Sequence, residues 1–299
     1  MEIRRSLVAW GGVLRLIAAV TSAALALLAT PAHAEPAMWV VKDADSTIYL
    51  LGTLHMTKPS MKWRSDKIDA AFEASDEFWM EATANFDPAM LEGLIIKHGL
   101  DRRPLSSKVS GDDWARVQSA AKAVGVPIST VEQMRPWLAA LSLSFQPAMK
   151  EDGYDFTQGV DRLLEASARA ARMTVKTFET PEQQTLIFAS LSEESEVAFL
   201  IHVLEEIASG RSVVDQMADA WMAGDIGALE ATILSRTKEA APEVYDALIV
   251  RRNLDWCDQI ATIMKGAGTT FVAVGAGHLV GDDSVPAILA KRGFAVAPY

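Results

Sequence analysis

The sequence predicts an α/β fold with two βαβ units around a central sheet, each carrying a Gly-x-x-His motif, and a large helical insertion. Three observations support this fold class. Apolar runs at 47–52 and 269–275 end in the same motif, each motif is followed by a helical segment and a second apolar run, and the intervening residues have mostly helical periodicity. We therefore expect the two units, 47–82 and 269–299, to lie side by side in one sheet.

The first unit begins with a predicted hairpin, in which two apolar runs flank the turn-forming residues 43–46. Residues 65–75 have apolar side chains on one helical face, and the run 77–82 predicts a short strand. A helical crossover joins parallel strands. We therefore expect the strand that ends at Gly52 to pair in parallel with the strand that ends at Glu81.

The region between the units, residues 90–265, is predicted to be a helical cover broken by one strand at 174–180. That strand is indicated by its alternating, β-branched sequence TVKTFET. The second unit reads as a strand at 269–275, a helix near 283–293 and a final strand at 294–299. The chain thus ends with the pattern with which it begins.

The amino-terminal segment predicts a secretory signal peptide. Arg4 and Arg5 precede an apolar stretch that ends in Ala32-His33-Ala34. The alternative is an uncleaved membrane anchor, but a small-residue cleavage site at the end of the stretch favours removal. We therefore expect a leader at 1–34, a single domain at 35–299 with no further membrane span, and a periplasmic location.

The charge and the cysteine content indicate which partners and which stabilising bonds to expect. The net charge of −11 makes nucleic acid and anionic lipid poor electrostatic partners. Cys257 is the only cysteine, so the chain is expected to fold without internal disulfides. Its length suffices for a core without such links. The sequence indicates no oligomeric state.

The two Gly-x-x-His motifs are the strongest functional signal. Ligands of open parallel sheets bind beyond the carboxyl ends of the strands, where His55 and His278 are predicted to lie. Glu81 ends the neighbouring apolar run, and Glu179 has a similar place after the 174–180 strand. Two imidazoles with one or two carboxylates suit a divalent metal that activates water. Each residue also has a purely structural alternative, such as a hydrogen-bonded strand end.

The two remaining histidines are predicted to be structural. His202 lies on an apolar helical face, which is typical of a hydrogen-bonded core histidine, and His98 is expected near a helix end.

The sequence resembles the TraB/GumN family over essentially the whole segment that follows the leader. This family is related to the Tiki membrane proteases, and more distantly to erythromycin esterases and ChaN-type haem-binding proteins. The resemblance is carried by eight blocks in order: YLLGTLH (49–55), FWMEA (78–82), RPWLAAL (135–141), GYDFTQGVD (153–161), FET (178–180), AWMAGD (220–225), RRNLDW (251–256) and FVAVGAGHLVG (271–281).

This resemblance implies an active site made of His55, Glu81 and His278, with manganese or cobalt as the metal and Glu81 alternatively acting as general base. The supporting residues that it implies are Glu179, Asp161, Arg252 and Asn253, and Arg135 joins the catalytic set as a candidate. We expect Arg135 or Arg252 to stabilise an oxyanion or to hold a substrate carboxylate. Glu179 is expected to orient a metal ligand rather than to bind the metal itself.

The function predicted from these observations is that of an exported metal-dependent hydrolase, peptidase-like, acting on a peptide or a small amide or ester. Two alternatives remain open. One is a metal-free esterase-type hydrolase in which a histidine acts as base on water. The other is a non-catalytic protein that binds a peptide or a metallo-ligand such as haem.

Overall fold

A six-stranded mixed sheet forms the centre of the structure, and helices cover it. The computed structural model describes residues 35–83, 87–150, 153–209 and 213–299, so the predicted leader lies outside the described residues. The strands are β1 (Met38–Lys42), β2 (Ser46–Thr53), β3 (Glu77–Met80), β4 (Thr174–Thr177), β5 (Gly268–Gly275) and β6 (Ala295–Pro298).

Helices make up most of the remaining described chain. They are α1 (Asp66–Glu73), α2 (Pro88–Gly99), α3 (Gly111–Val124), α4 (Ile128–Val131), α5 (Pro136–Lys150), α6 (Val160–Ala170), α7 (Pro181–Ala189), α8 (Glu193–Ala208), α9 (Val213–Ala223), α10 (Ile226–Glu230), α11 (Arg236–Ala240), α12 (Pro242–Tyr245), α13 (Arg251–Ile263) and α14 (Val285–Lys291). Short 3₁₀ segments occur at Leu105–Ser107, Phe156–Gln158 and Ala276–Leu279, and π-helical turns at Ala231–Ser235 and Asp246–Val250.

The predicted hairpin is confirmed, because β1 and β2 pair antiparallel from Met38↔Leu51 to Lys42↔Thr47. The sheet order is β4-β3-β5-β2-β1-β6, and the four strands β4, β3, β5 and β2 are parallel to one another. The mixed α/β class predicted from the sequence is therefore correct.

The predicted pairing of β2 with β3 is wrong, because β5 lies between them. The last six residues of β5 are buried, and a strand that is apolar on both faces belongs at the centre of a sheet. The two strands of the first unit each pair in parallel with β5 rather than directly with each other.

The second predicted βαβ unit does not form. Both edges of β5 are occupied by β2 and β3, so no position beside it is left for the final strand. β6 instead pairs antiparallel with β1 at the edge of the sheet. Its mostly exposed residues and its proline at 298 are compatible with an edge strand.

The sheet buries a separate apolar cluster on each face. On one face, Leu51, Phe78 and Phe271 pack with residues of α1 and α6. On the other face, alternate strand residues pack against α13 and α14. A third cluster joins α3, α5 and α8 in the helical layer. The helix α13 is thus fixed on the sheet, and its first turn lies beside the carboxyl ends of the strands.

The described helices include none that combines the length and the hydropathy needed to cross a lipid bilayer.

Candidate functional site

The carboxyl ends of the parallel strands bring His55, Glu81 and His278 together. A methyl group built on Gly275 would lie 3.0 Å from Glu81 Oε1, 3.4 Å from His55 Nε2 and 3.6 Å from His278 Cδ2. The three side chains therefore surround one point at the end of β5. Their predicted convergence agrees with the geometry, whereas their roles remain predictions.

The two Gly-x-x-His motifs are not equivalent in the sheet. Gly275 pairs with Thr53, so Gly52 is one register position earlier and pairs with Val274. Side chains alternate between the faces of a sheet, so Gly52 and Gly275 face opposite sides. A methyl group on Gly52 would meet the Ala276 backbone at 3.0 Å, whereas Gly275 opens toward the three site residues. The backbone of Gly275 is ordinary (φ −50°, ψ 137°), so this glycine provides space rather than an unusual conformation.

Glu81 is a buried carboxylate held from several directions. Its Oε1 accepts the backbone N–H of Gly275 at 2.6 Å, and its Oε2 accepts Arg252 Nη2 at 2.6 Å and Gln184 Nε2 at 3.3 Å. Burial alone would raise the pKa of Glu81, but the positive charge of Arg252 and the neighbouring groups lower it well below its usual range. Glu81 is therefore ionised in the site.

Glu179 lies beside Glu81 because the chain after β4 runs along the chain after β3. The backbone N–H of Glu179 donates to the carbonyl oxygen of Glu81 at 2.8 Å. The Glu179 carboxylate accepts Arg252 Nε at 2.8 Å, Arg252 Nη2 at 2.9 Å and the indole N–H of Trp256 at 3.2 Å. Glu179 thus contacts the arginine of the site, and its predicted supporting role stays a prediction.

Arg252 is the centre of the hydrogen-bond network. Besides the two glutamates, its Nη1 donates to the carbonyl oxygen of Leu248 at 3.2 Å and contacts His278 Nε2 at 2.9 Å. Its guanidinium lies over the Trp256 ring, 4.6 Å from the ring centroid. Burial disfavours the charge, but the two carboxylates outweigh that effect and raise the pKa of Arg252 above its usual value.

His278 is a neutral imidazole with both nitrogens engaged. Its Nδ1 lies 2.7 Å from Asn253 Oδ1, and its Nε2 receives Arg252. Asn253 is oriented in turn by the carbonyl oxygen of Asp283, to which its Nδ2 donates at 2.7 Å. Because an amide oxygen only accepts, Nδ1 carries the proton and Nε2 the lone pair. Burial and the positive charge of Arg252 lower the pKa of His278 to about 3.

His55 differs from the rest of the site because its side chain is 54% exposed. Its Nδ1 lies 3.3 Å from Oδ2 of Asp161, a residue in the first turn of α6. Surrounding atoms disfavour the charged ring, but the hydrogen bond and charge of Asp161 outweigh them and raise the pKa of His55 to about 9. His55 and Asp161 therefore form an exposed imidazole–carboxylate pair at the edge of a buried charged network.

Backbone contacts hold this pair in place. The N–H of Val160 donates to the carbonyl oxygen of Leu54 at 2.9 Å, and Thr57 forms a two-way backbone bridge with Asp155. A methyl group on Gly159 would overlap the carbonyl oxygen of His55. The block GYDFTQGVD thus contacts the loop that carries His55, and its glycine permits the close approach.

Arg135 is located elsewhere, among the helices. Its guanidinium donates to the carbonyl oxygens of His98 at 3.1 Å and Ala189 at 3.0 Å, and pairs with Glu196. These carbonyls belong to the last turns of α2 and α7, where cationic side chains stabilise helix ends. The contacts favour a structural role, and a catalytic role for Arg135 stays a prediction.

Two residues of the site were not anticipated from the sequence. Trp256 lies four residues after Arg252, one helical turn away, and its ring contacts His278 with centroids 4.4 Å apart. That spacing within RRNLDW is a signal that helical periodicity provides. Gln184, which donates to Glu81, follows from no comparable pattern.

The donor atoms of this site were compared with the needs of the expected metal. In the part of the chain that the structure describes, no group of three or more His, Cys, Asp or Glu side chains is arranged to hold a metal ion. The physical reason is Arg252, whose guanidinium is hydrogen-bonded to Glu81 and to the Nε2 lone pair of His278. The arrangement as it stands does not fit the divalent metal that the resemblance implies.

Comparison with known proteins establishes the class of this chain. Residues 37–298 match the model of the TraB/PrgY/gumN family, so the chain belongs to that family. This finding confirms the resemblance seen in the sequence blocks.

Two individual relatives support the assignment. A protein of Treponema pallidum (strain Nichols), described only as uncharacterized, is 24% identical over 288 residues, which cover 87% of this chain and 82% of that protein. The uncharacterized protein YbaP of Escherichia coli (strain K12) is 23% identical over 254 residues, covering 85% and 92%. No solved structure matches at a significant level.

Proposed function

We propose that this TraB/PrgY/gumN-family protein is a hydrolase of peptides or small amides and esters, in which His55 transfers the proton and Asp161 orients its ring. The observation that carries the proposal is the contrast in exposure within the site. Glu81, Glu179, Arg252 and His278 are buried, whereas His55 is half exposed and presents Nε2 toward the same point. A substrate that reaches the site therefore meets His55 first.

The chemistry follows from how the ring is held. Asp161 accepts the Nδ1 proton and fixes the orientation of the imidazole, so that Nε2 is the nitrogen that exchanges a proton with substrate or water. Since Asp161 raises the pKa of His55 to about 9, the ring carries at neutral pH the proton that a leaving oxygen or nitrogen needs. The buried glutamates, Arg252 and His278 would hold the surrounding charge in a fixed arrangement.

The direct test is a comparison of hydrolysis by the wild-type chain and a His55→Gln variant on a library of peptides and esters. His202→Gln is the matched control, because this histidine lies on α8 in the helical layer. We expect His55→Gln to lose about 10²–10⁴-fold in kcat/KM, the usual contribution of a positioned acid–base group, and His202→Gln to retain activity. Equal loss in both variants would contradict the proposal, and tight binding without turnover would favour the binding-protein alternative.

A metal-dependent peptidase is the second candidate, and one observation favours it. Both histidines have an oxygen partner at Nδ1, Asp161 for His55 and Asn253 for His278, which is the usual arrangement of metal-binding imidazoles. Manganese or cobalt held by His55, Glu81 and His278 would supply a Lewis acid, but Arg252 must first leave His278. Activity that disappears on chelation and returns with manganese or cobalt would select this candidate over the metal-free one.

Export to the periplasm is part of the proposal, and its support is the leader-like sequence of residues 1–34. Mass spectrometry of the intact protein from a bacterial periplasmic extract is the test. We expect a chain that begins at Glu35, and a retained leader would favour the anchored alternative.

A further inference from the structure

A groove of about 680 Å³ lies at the amino ends of the parallel strands, within the size range of about 300–1,000 Å³ that small-molecule sites have. Five residues of β5 separate Thr270 in this groove from Gly275 in the candidate site, roughly 16 Å at the usual rise of a strand. A ligand in this amino-end groove would therefore not occupy the candidate site. Its polar and aromatic lining includes Asp76, Glu77, Trp79, Lys176, Gln259 and Thr270.

The register of the strands builds the floor of the amino-end groove. Thr270 pairs with Glu77, and Trp79 pairs with Lys176 of the edge strand β4. Paired residues of parallel strands share a face, and Glu77 and Trp79 are two positions apart, so all four side chains lie on one side of the sheet. The last turns of α13 form the opposite wall. The groove is thus the part of this sheet face that α13 leaves open.

The hydrogen-bond donors along the groove already have partners in the protein. The indole N–H of Trp79 donates to Glu77 at 3.1 Å. The amide of Gln259 donates to the carbonyl oxygen of Phe178 at 3.2 Å and to a carboxylate of its own helix at 2.9 Å. The hydroxyl of Thr262 donates to a carbonyl oxygen of the same helix at 3.0 Å. A ligand that needs donors would find few here.

Acceptor atoms are what the groove offers. Oδ2 of Asp76 accepts the backbone N–H of Thr269 at 2.9 Å, which leaves Oδ1, and the engaged amide of Gln259 leaves its oxygen. Thr270 is only 5% exposed, and its hydroxyl forms no hydrogen bond with another residue in the described part of the chain. Buried polar groups normally have a partner, so this hydroxyl points to one supplied from the groove.

The charge of the groove favours a cation. The carboxylates of Asp76 and Glu77 face one ammonium group, that of Lys176, which donates to both oxygens of Glu77 at 2.7 and 2.9 Å. The same ammonium lies 5.4 Å from the centroid of the Trp79 ring. A carboxylate and an indole face thus already hold one alkylammonium, and this combination is suited to organic cations.

We propose that the amino-end groove binds a small organic cation, a primary ammonium on an apolar chain or ring. The ammonium would donate to Asp76, Glu77 and the Thr270 hydroxyl, and the apolar part would lie against Trp79 and Ile263. The free acceptors, the excess of negative charge and the aromatic surface all select for this chemistry. The proposal concerns binding at the amino ends of the strands and does not depend on the proposed hydrolysis.

The experiment is a titration of the ¹⁵N-labelled protein with 2-phenylethylammonium, followed by nuclear magnetic resonance. The indole N–H signal of Trp79 is assigned by its absence in a Trp79→Phe variant. Phenylacetate and 2-phenylethanol are the anionic and neutral probes of similar shape. We expect a saturable shift of the Trp79 signal with the ammonium, and binding weaker by about tenfold or more with the other two, because charged hydrogen bonds are lost.

Three variants locate the ammonium. Glu77→Gln and Thr270→Val should each weaken binding, the first by about tenfold or more. Lys176→Gln should tighten it, because the variant frees Glu77 and the indole face for the ligand. Glu206→Gln is the matched control, since this carboxylate pairs with Arg236 at 2.7 Å in the helical layer, and its affinity should equal that of the wild type.

Several results would overturn the proposal. They are the absence of a saturable Trp79 shift, equal affinity for the three probes, which would indicate an apolar surface only, and unchanged affinity in Glu77→Gln. Circular dichroism verifies that each variant is folded. If the buried substitution Thr270→Val prevents folding, Glu77→Gln and Lys176→Gln decide the matter, because the side chains of Glu77 and Lys176 are 32% and 43% exposed.

Discussion

Glu179→Gln is expected to destabilise the protein strongly because it leaves a buried guanidinium short of one negative partner. The side chains of Glu179 and Arg252 are each 9% exposed, and two hydrogen bonds of 2.8 and 2.9 Å join them. Breaking a buried ion pair by removing one partner costs about 3–5 kcal/mol. Gln has the shape of Glu and keeps one oxygen that can accept a hydrogen bond from Arg252. We therefore expect Glu179→Gln to lower the free energy of unfolding by about 3 kcal/mol, the lower end of that range. For a chain of this size that corresponds to a decrease of about 6–12 °C in Tm.

The chain contains an exposed counterpart of the same interaction. Glu77 accepts two hydrogen bonds from Lys176, at 2.7 and 2.9 Å, and one from the indole of Trp79. Lys176 also lies over that indole ring, as Arg252 lies over Trp256. The side chains of Lys176 and Glu77 are 43% and 32% exposed, so Glu77→Gln should cost no more than about 1 kcal/mol.

Urea unfolding of the two variants and the wild type, followed by circular dichroism, measures both free energies. The slope of the free energy of unfolding against urea concentration should be the same for all three proteins. A change in stability then appears as a change in the urea midpoint. Added salt should reduce the small Glu77 effect and leave the Glu179 effect nearly unchanged, since buried pairs are screened less. If the two variants lose equal stability, burial is not what gives the Arg252 network its strength.

Two further predictions concern the loops that carry the site. Gly159→Ala should lower the free energy of unfolding by about 1–3 kcal/mol and reduce activity, because the added methyl group would overlap the carbonyl oxygen of His55. Gly111→Ala is the control, since a methyl group at that position meets open space and should leave stability unchanged. The urea midpoints of both variants test this prediction. Trp221→Phe removes the indole N–H that donates to Gly52 O at 2.7 Å, and the unpaired buried carbonyl should lower the free energy of unfolding by about 1–3 kcal/mol. A thermal midpoint within a degree of wild type would contradict that expectation.

Local structure was predictable because its causes are local. The hairpin, α1 and β3 appear where turn residues and apolar periodicity indicate them, and Ser65 caps α1 by accepting the N–H of Ile68. The order of the strands depends on contacts between residues far apart in sequence. The repeated strand–motif–helix–strand pattern suggested two equivalent units. A strand has only two neighbours in a sheet, and those of β5 are β2 and β3, so β6 pairs with the free edge of β1 instead.

The candidate site was predictable to the same extent. The rule for carboxyl ends of parallel strands places His55, Glu81 and His278 together, as the geometry has them. The same rule does not predict that Arg252 lies among these residues. Arg252 belongs to α13, and it reaches Glu81 because that helix packs on the sheet. Arg135 was predicted as a site residue because it belongs to a family motif block. In the structure its guanidinium instead binds the carbonyl oxygens at the ends of two helices.

The parallel pairing of β2 with β5 has a consequence for how the protein acquires its fold. β2 ends at residue 53, and its partner on that edge begins at residue 268, more than two hundred residues later. During synthesis, β2 therefore remains without this neighbour until nearly the whole chain has been made. Such non-local pairing slows folding and leaves apolar strand edges exposed in the meantime. The protein should accordingly depend on chaperones that shield β2 during translation more than a chain of the same size whose sheet forms from sequential hairpins.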